Sequence, residues 1–216
     1  MPAARRIAIF GGAFDPPHVG HLALARAAGV ALAFDELRLM PTGRSWQKPG
    51  QRTGATHRLA MARLAAAELP GAVVDDREVS RDGPTYTVET LRELRAEVGP
   101  LVSLILLLGS DQLHNLHTWW HHEELLTLAN LAVTQREMTR LADFPPPVES
   151  LLEHHGRQAL SGAAHGELVF FRMPATPVSS SRLRHALAGG EPVDALLPRS
   201  VLEYIRRHAL YLASAQ

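Results

Sequence analysis

Short apolar runs alternate with amphipathic ones along the whole chain. Ile7–Phe10, Leu37–Met40, Val73–Asp75, Leu104–Leu108, Leu131–Thr134 and Leu168–Phe171 are strand-sized, and several are apolar at consecutive positions. A strand that is apolar on both faces is one covered by helices on both sides. Between these runs, apolar residues recur at helical spacing over Gly20–Ala33, Thr56–Leu69, Thr87–Glu97, His121–Leu128, Ser180–Ala188 and Pro198–His208. Pro198 suits a first helical turn, and Gly189-Gly190 stops the helix before it. Strands alternating with helices predict an α/β fold: a Rossmann-like, doubly wound, mainly parallel sheet with helices on both faces. A small helical portion, about 179–212, ends the chain, and residues 1–216 are expected to form one domain. Asp143-Phe-Pro-Pro-Pro147 predicts a connector into a less regular stretch, 148–166.

In an open α/β sheet, ligands sit at the carboxyl ends of the strands. The residues just after each predicted strand are rich in glycine, polar groups and charge: Gly11 to His21, Pro41 to Lys48, Gly109 to Asp111, Gln135-Arg136, and Pro174 to Arg184. The first of these is the most telling. Ile7-Ala-Ile-Phe10 breaks into Gly11-Gly12, then Ala13-Phe-Asp-Pro-Pro17, then His18-Val-Gly-His21 at the head of an amphipathic run. Strand, glycine turn, helix start leaves backbone N–H groups for an anion. His18 and His21, three apart, lie on one helical face, where imidazoles at the positive helix end can bond phosphate oxygens. The spacing is that of neither a dinucleotide fingerprint nor a P-loop. Asp15 is read as a turn builder.

Pro177-Val-Ser-Ser-Ser-Arg-Leu-Arg184 reads as a serine-capped helix start with two arginines in its first turn. Arginine there opposes the helix dipole, a cost that an anion at the same place would offset. Asp111 after Gly109-Ser110 can accept ribose hydroxyls or cap a helix. Thr85 and Thr87 either cap the next helix or bond a ligand carboxylate. Of Trp119 and Trp120, read as helical, one is expected near the surface or on a ligand ring. His114, His117, His121 and His122 raise a metal reading, set against one of solvent-facing histidines; no metal site is expected.

Composition narrows the classes. Zero formal net charge removes the signature of a nucleic-acid or membrane-surface binder, and the absence of cysteine excludes disulfides and thiolate chemistry. No apolar run is long enough for a signal peptide or membrane span, so a cytoplasmic protein is expected. Of 22 basic residues, 21 are arginine, a bias attributable to a GC-rich genome. The single lysine, Lys48, stands in a turn-rich loop where a phosphate-facing role is open.

Together these segments resemble the nucleotidyltransferase superfamily with an H-x-G-H motif near the N-terminus, and within it the bacterial nicotinate mononucleotide adenylyltransferases. Gly11-Gly-Ala-Phe-Asp-Pro-Pro-His-Val-Gly-His21 is similar to that family's first motif and Val178-Ser-Ser-Ser-Arg-Leu-Arg184 to its last. Gly83-Pro-Thr-Tyr-Thr-Val-Glu-Thr-Leu91, Gly109-Ser-Asp111, Thr118-Trp-Trp120 and the ending through Tyr204 and Leu210-Tyr211 resemble it as well. Ala13 departs from the family's Thr or Ser, Arg44-Ser-Trp-Gln-Lys48 from its P-P-H-K-like loop, and Trp120 from its frequent Tyr.

The resemblance implies adenylyl transfer from ATP to nicotinate mononucleotide. It implies ATP contacts from Gly11, Gly12, Ala13, Phe14, His18, His21, Lys48, Gly109, Asp111, Arg136, Ser180 and Arg184, with His18, His21 and Arg184 catalytic. It also implies acceptor contacts from Thr87, Trp119, Trp120 and Lys48. Mg²⁺ would bridge the ATP phosphates without a dedicated protein site. No nucleic-acid or membrane partner is implied, and the protein would be a monomer or homodimer. An amide-preferring mononucleotide adenylyltransferase and a pantetheine-phosphate adenylyltransferase are the alternatives.

Overall fold

The short apolar runs become a sheet that is covered on both faces. A computed structural model describes residues 5–45, 53–135 and 144–212. Six parallel strands form the sheet: β1 (Arg6–Gly12), β2 (Glu36–Pro41), β3 (Ala72–Val74), β4 (Ser103–Gly109), β5 (Asn130–Gln135) and β6 (Leu168–Arg172), in the order β3-β2-β1-β4-β5-β6. Ala8, Phe10, Ile105, Leu107, Ala132, Val169 and Phe171 face one way. On that side lie α1 (Val19–Leu32), α2 (Ala55–Ala66), α6 (Ser180–Ala188) and α7 (Arg199–Arg207). Ile7, Ile9, Leu104, Leu106, Leu108, Leu131, Val133 and Leu168 face the other way, toward α3 (Thr87–Val98), α4 (Ser110–His114) and α5 (Pro146–His155). The predicted doubly wound α/β architecture is what forms.

The strand order reverses between the neighbours β1 and β4, where Ile7 pairs with Leu104 and Ile9 with Leu106. Connections diverge from this point to opposite faces and leave a crevice outside the carboxyl ends of the two strands.

Three local expectations are corrected. The stretch 148–166 is not irregular throughout, since Pro146–His155 is helical. Pro146 and Pro147 occupy its first turn, where a missing N–H costs nothing, and Val148, Leu151 and Leu152 turn toward the core. Of His121–Leu128 only Leu125–Leu128 is α-helical; His121 sits in the left-handed region at φ 49°, and His122–Glu124 is a 3₁₀ turn. Trp119-Trp120 therefore lies between two 3₁₀ turns and not on a helix. A parallel ribbon absent from the predicted strands joins Arg44–Ser45 to Pro84–Thr85. Among the described residues, no helix is long and apolar enough to cross a membrane.

The end of the sheet opposite the crevice is tied by polar groups. Asn130, fully buried, donates to Ser103 Oγ (3.0 Å) and the Ala163 carbonyl (2.9 Å), and accepts from the Glu167 N–H (2.9 Å). Arg95 spans the carbonyls of Gly99, Val102, Leu128 and Ala164 nearby. Replacing Asn130 by leucine strands the Glu167 N–H and is expected to cost about 1–3 kcal/mol. Urea denaturation should register this loss, while turnover of the folded variant stays at wild-type level because the change lies at the amino ends of the strands.

Candidate functional site

A cleft of about 1040 Å³ opens at the strand-order reversal. One wall is the turn from β1 into α1. Phe14 holds φ 48° there, in the left-handed region that a bulky residue enters only under constraint. Its ring is buried edge-on against Phe10 (5.6 Å between centroids) and His21 (5.1 Å). Asp15-Pro16 is a cis peptide, and His18 caps α1. The His18 N–H donates to His21 Nδ1 at 3.1 Å. With Nδ1 accepting, a neutral His21 ring carries its proton on Nε2, so that nitrogen is a donor. The two imidazoles lie 3.8 Å apart between centroids, and no acidic residue occupies the first turn of α1. Gly20 makes the pairing possible: a Cβ there would meet Val178 Cγ1 at 2.9 Å and His18 Nδ1 at 3.0 Å.

The carbonyls of this turn are taken up by donors from elsewhere in the chain. Gly12 C=O accepts from the Thr42 N–H (2.9 Å), Ala13 C=O from Arg58 Nη1 (3.0 Å), Asp15 C=O from Arg184 Nη1 (2.7 Å), and Pro16 C=O from the Ser180 hydroxyl (3.0 Å). The Asp15 carboxylate accepts from the Tyr211 hydroxyl at 2.6 Å. Burial, reinforced by that carboxylate, holds the Tyr211 phenol well above its usual pKa. Ser179 caps α6 by accepting from the Arg182 N–H (3.3 Å), and Arg184 Nη2 also donates to Ser181 Oγ (3.2 Å). Because the Ser180 hydroxyl already donates to Pro16, its backbone N–H in the first turn of α6 is the donor it offers to a ligand.

Across the crevice, β4 ends at Gly109 and α4 begins. The exposed Asp111 carboxylate lines the cleft; a Cβ on Gly109 would come within 2.4 Å of its Oδ1. Thr134, paired with Gly109 across β5, is 1% exposed, and its hydroxyl has no hydrogen-bond partner among the described residues. On the far side the cleft is lined by Glu78, Thr85, Thr87, Thr90, Leu91 and Trp119. Burial pushes the Glu78 carboxyl up to about 6, partly opposed by the Thr90 hydroxyl that donates to it at 2.9 Å. Trp119 packs against the core, and its buried Nε1 has no partner among the described residues. An indole N–H left in this state can be met by a bound ligand or water.

Gly11, Gly12, Ala13, Phe14, His18, His21, Thr87, Gly109, Asp111, Trp119, Ser180 and Arg184, all named from sequence, line this one cleft. Trp120 stands apart: the residue is 56% exposed, and its ring packs on Tyr86 (5.8 Å) and His121 (4.7 Å). Lys48 and Arg136 lie outside the described residues. Arg58, Glu78 and Thr134 were not anticipated. The legible sign of Arg58 was a charge on the apolar stripe of α2, three and four residues before Met61 and Ala62. Glu78 and Thr134 carry no such mark.

The cytidylyltransferase-like family model matches residues 9–186. A probable nicotinate-nucleotide adenylyltransferase of Chromobacterium violaceum is 43% identical over 210 residues, covering 95% of this chain and 98% of that protein. One from Albidiferax ferrireducens is 42% identical over 207 residues, covering 96% and 98%. The structure of Plasmodium falciparum nicotinic acid mononucleotide adenylyltransferase complexed with NaAD shares the fold, with a TM-score of 0.70 at 19% identity over 96% of this chain and 97% of that one. The chain belongs to the cytidylyltransferase-like nucleotidyltransferases, among the nicotinate-nucleotide adenylyltransferases.

Proposed function

We propose that this cleft transfers the adenylyl group of ATP to nicotinate mononucleotide, giving nicotinate adenine dinucleotide and pyrophosphate, within one domain spanning 1–216. The observation that carries the reading is the β1–α1 turn: four of its carbonyls are engaged from outside, while His18 and His21 stand at a helix start facing the cleft. Such a turn favours a polyphosphate and repels a cation.

An oxygen of the mononucleotide's 5′-phosphate attacks the α-phosphorus of ATP. The bond from that phosphorus to the bridging oxygen breaks, and pyrophosphate leaves with the electron pair. The nucleophile is already an anion, so no side chain must remove a proton. The protein's task is alignment and stabilisation of charge at phosphorus. His21, donating from Nε2, and His18 would hold the α- and β-phosphate oxygens. The first-turn N–H groups of α6, with the Arg184 donors that Asp15 and Ser181 leave over, would take the β,γ side, joined by Lys48. Asp111 and Gly109 would hold the adenosine ribose, with Arg136 a further nucleotide contact. Trp119 would stack on the nicotinate ring, and the backbone at Thr87 and Trp120 would meet its carboxylate. Mg²⁺ supplies charge neutralisation on the phosphates when bound. His18, His21, Ser180 and Arg184, the residues assigned to those phosphates, are donors and would hold the phosphate oxygens, with Mg²⁺ adding positive charge beside them.

A pyrophosphate-release assay with ATP and each pyridine mononucleotide tests the assignment: turnover is expected with the acid, and silence with both acid and amide would refute it. His21→Ala should lower kcat by roughly 10²–10³-fold with circular dichroism unchanged, because the lost donor acts on transition-state charge. Near-normal turnover would remove His21 from the chemistry. Trp119→Ala should raise KM for the mononucleotide roughly tenfold, the scale of one aromatic–base stack, with little effect on KM for ATP. Equal changes in both constants would mark Trp119 as a packing residue only.

A further inference from the structure

Arg58 occupies a costly place. It lies on the face of α2 that also buries Met61, Ala62 and Ala65, and it is 1% exposed. Four carbonyl oxygens receive its guanidinium: Nε donates to Thr53 (3.2 Å), Nη1 to Thr42 (2.6 Å) and Ala13 (3.0 Å), and Nη2 to Gly43 (3.1 Å). Burial draws its pKa down, with Asp15 and Tyr211 opposing, yet a guanidinium keeps its charge throughout the working range of pH. An apolar side chain would fill the same stripe without desolvating a cation. What the arginine adds is control over which way these four peptides face.

Resting on the reading of the β1–α1 turn as a phosphate site, we propose that Arg58 is a positioning residue that makes the Phe14 N–H a phosphate donor. In a trans peptide the C=O of one residue and the N–H of the next point in opposite directions. Among the described residues only Asp15-Pro16 is cis, so drawing the Ala13 carbonyl onto Arg58 turns the Phe14 N–H the other way. Ala13 and Phe14 both line the cleft, and among the described residues nothing accepts a hydrogen bond from that N–H. The left-handed φ of Phe14 is the conformational cost of the arrangement, borne where a ligand would profit from it. Arg58 touches no reacting atom; it acts through the peptide that it orients.

The test uses the full chain labelled with ¹³C′-alanine and ¹⁵N-phenylalanine. The sequence holds two Ala-Phe pairs, Ala13-Phe14 and Ala33-Phe34, so two amide signals are observed, the second serving as a reference beyond the end of α1. Pyrophosphate with Mg²⁺ should move the Phe14 amide downfield in the wild type and leave Phe34 in place. In Arg58→Lys, whose ammonium cannot span the four carbonyls, pyrophosphate affinity by calorimetry should fall about tenfold or more and the Phe14 response should vanish. Nicotinate mononucleotide affinity in that variant should stay within about twofold, as its ring site is a separate one. A Phe14 signal indifferent to pyrophosphate in the wild type overturns the proposal whether or not the variant folds. Unchanged pyrophosphate affinity in Arg58→Lys, or equal losses for both ligands, overturns it too. A wild type that binds pyrophosphate through Phe14 but turns over neither mononucleotide would refute the assigned reaction, while loss of that binding in Arg58→Lys would still support the role of Arg58.

Discussion

The carbonyl oxygens of the β1–α1 turn are drawn away from the cleft by donors from across the chain, as the proposed binding of an anion there requires. A carbonyl facing a phosphate repels it, and a buried carbonyl facing nothing is destabilising. Between Gly12 and Pro16 both difficulties are met by donors that no local segment could supply. They come from the residue after β2, from the interior of α2, and from the first turns of α6, up to 169 positions away in sequence. The Tyr211 hydroxyl then closes on the Asp15 carboxylate from near the C-terminus. The turn is therefore a product of tertiary structure, which explains why a Rossmann-like sheet needs its C-terminal helices packed against α1 and α2 before it has a working site.

Arginine is suited to this task in a way that lysine is not. Arg58 and Arg95 each bridge four backbone carbonyls, one beside the cleft and one at the opposite end of the sheet. Five N–H donors in a rigid plane can do this, whereas an ammonium presents three from one point. A compositional excess of arginine carries no sign of such uses, since Arg58, buried, and Arg199, exposed in an i,i+4 pair with Glu203, are the same letter. Genomic bias can account for the number of arginines without accounting for these two positions.

What was legible in the sequence was what repeats or is local. Short, consecutively apolar runs gave the sheet, because each strand must satisfy two covered faces at once. Ser179 announced α6, and its cap forms. His18 and His21 declared themselves through their three-residue spacing at a helix start. The failures share a cause, which is context. Pro145 to Pro147 looked like a connector because proline breaks a helix interior, yet the same residues begin one when Val148 and Leu151 follow. Trp119 and Trp120 looked helical because nothing nearby signals the left-handed His121 that separates two 3₁₀ turns. Glu78 is a buried acid whose carboxylate is met by the Thr90 hydroxyl twelve positions on, and no local pattern encodes that.

The two faces of the sheet divide the chemistry. His18, His21, Ser180 and Arg184 belong to α1 and α6, on one side; Thr87 and Trp119 belong to segments packed on the other. The crevice between β1 and β4 is where groups from both sides can reach one ligand pair, because there the crossovers part. Under the proposed function, an arrangement of this kind would let the phosphate machinery stay fixed while the acceptor side varies, as the two are anchored in separate hydrophobic clusters. It follows that the histidine motif by itself can identify a reaction but not a substrate. Under the proposed reaction the acceptor would be specified by residues such as Trp119, whose buried indole N–H has no partner among the described residues.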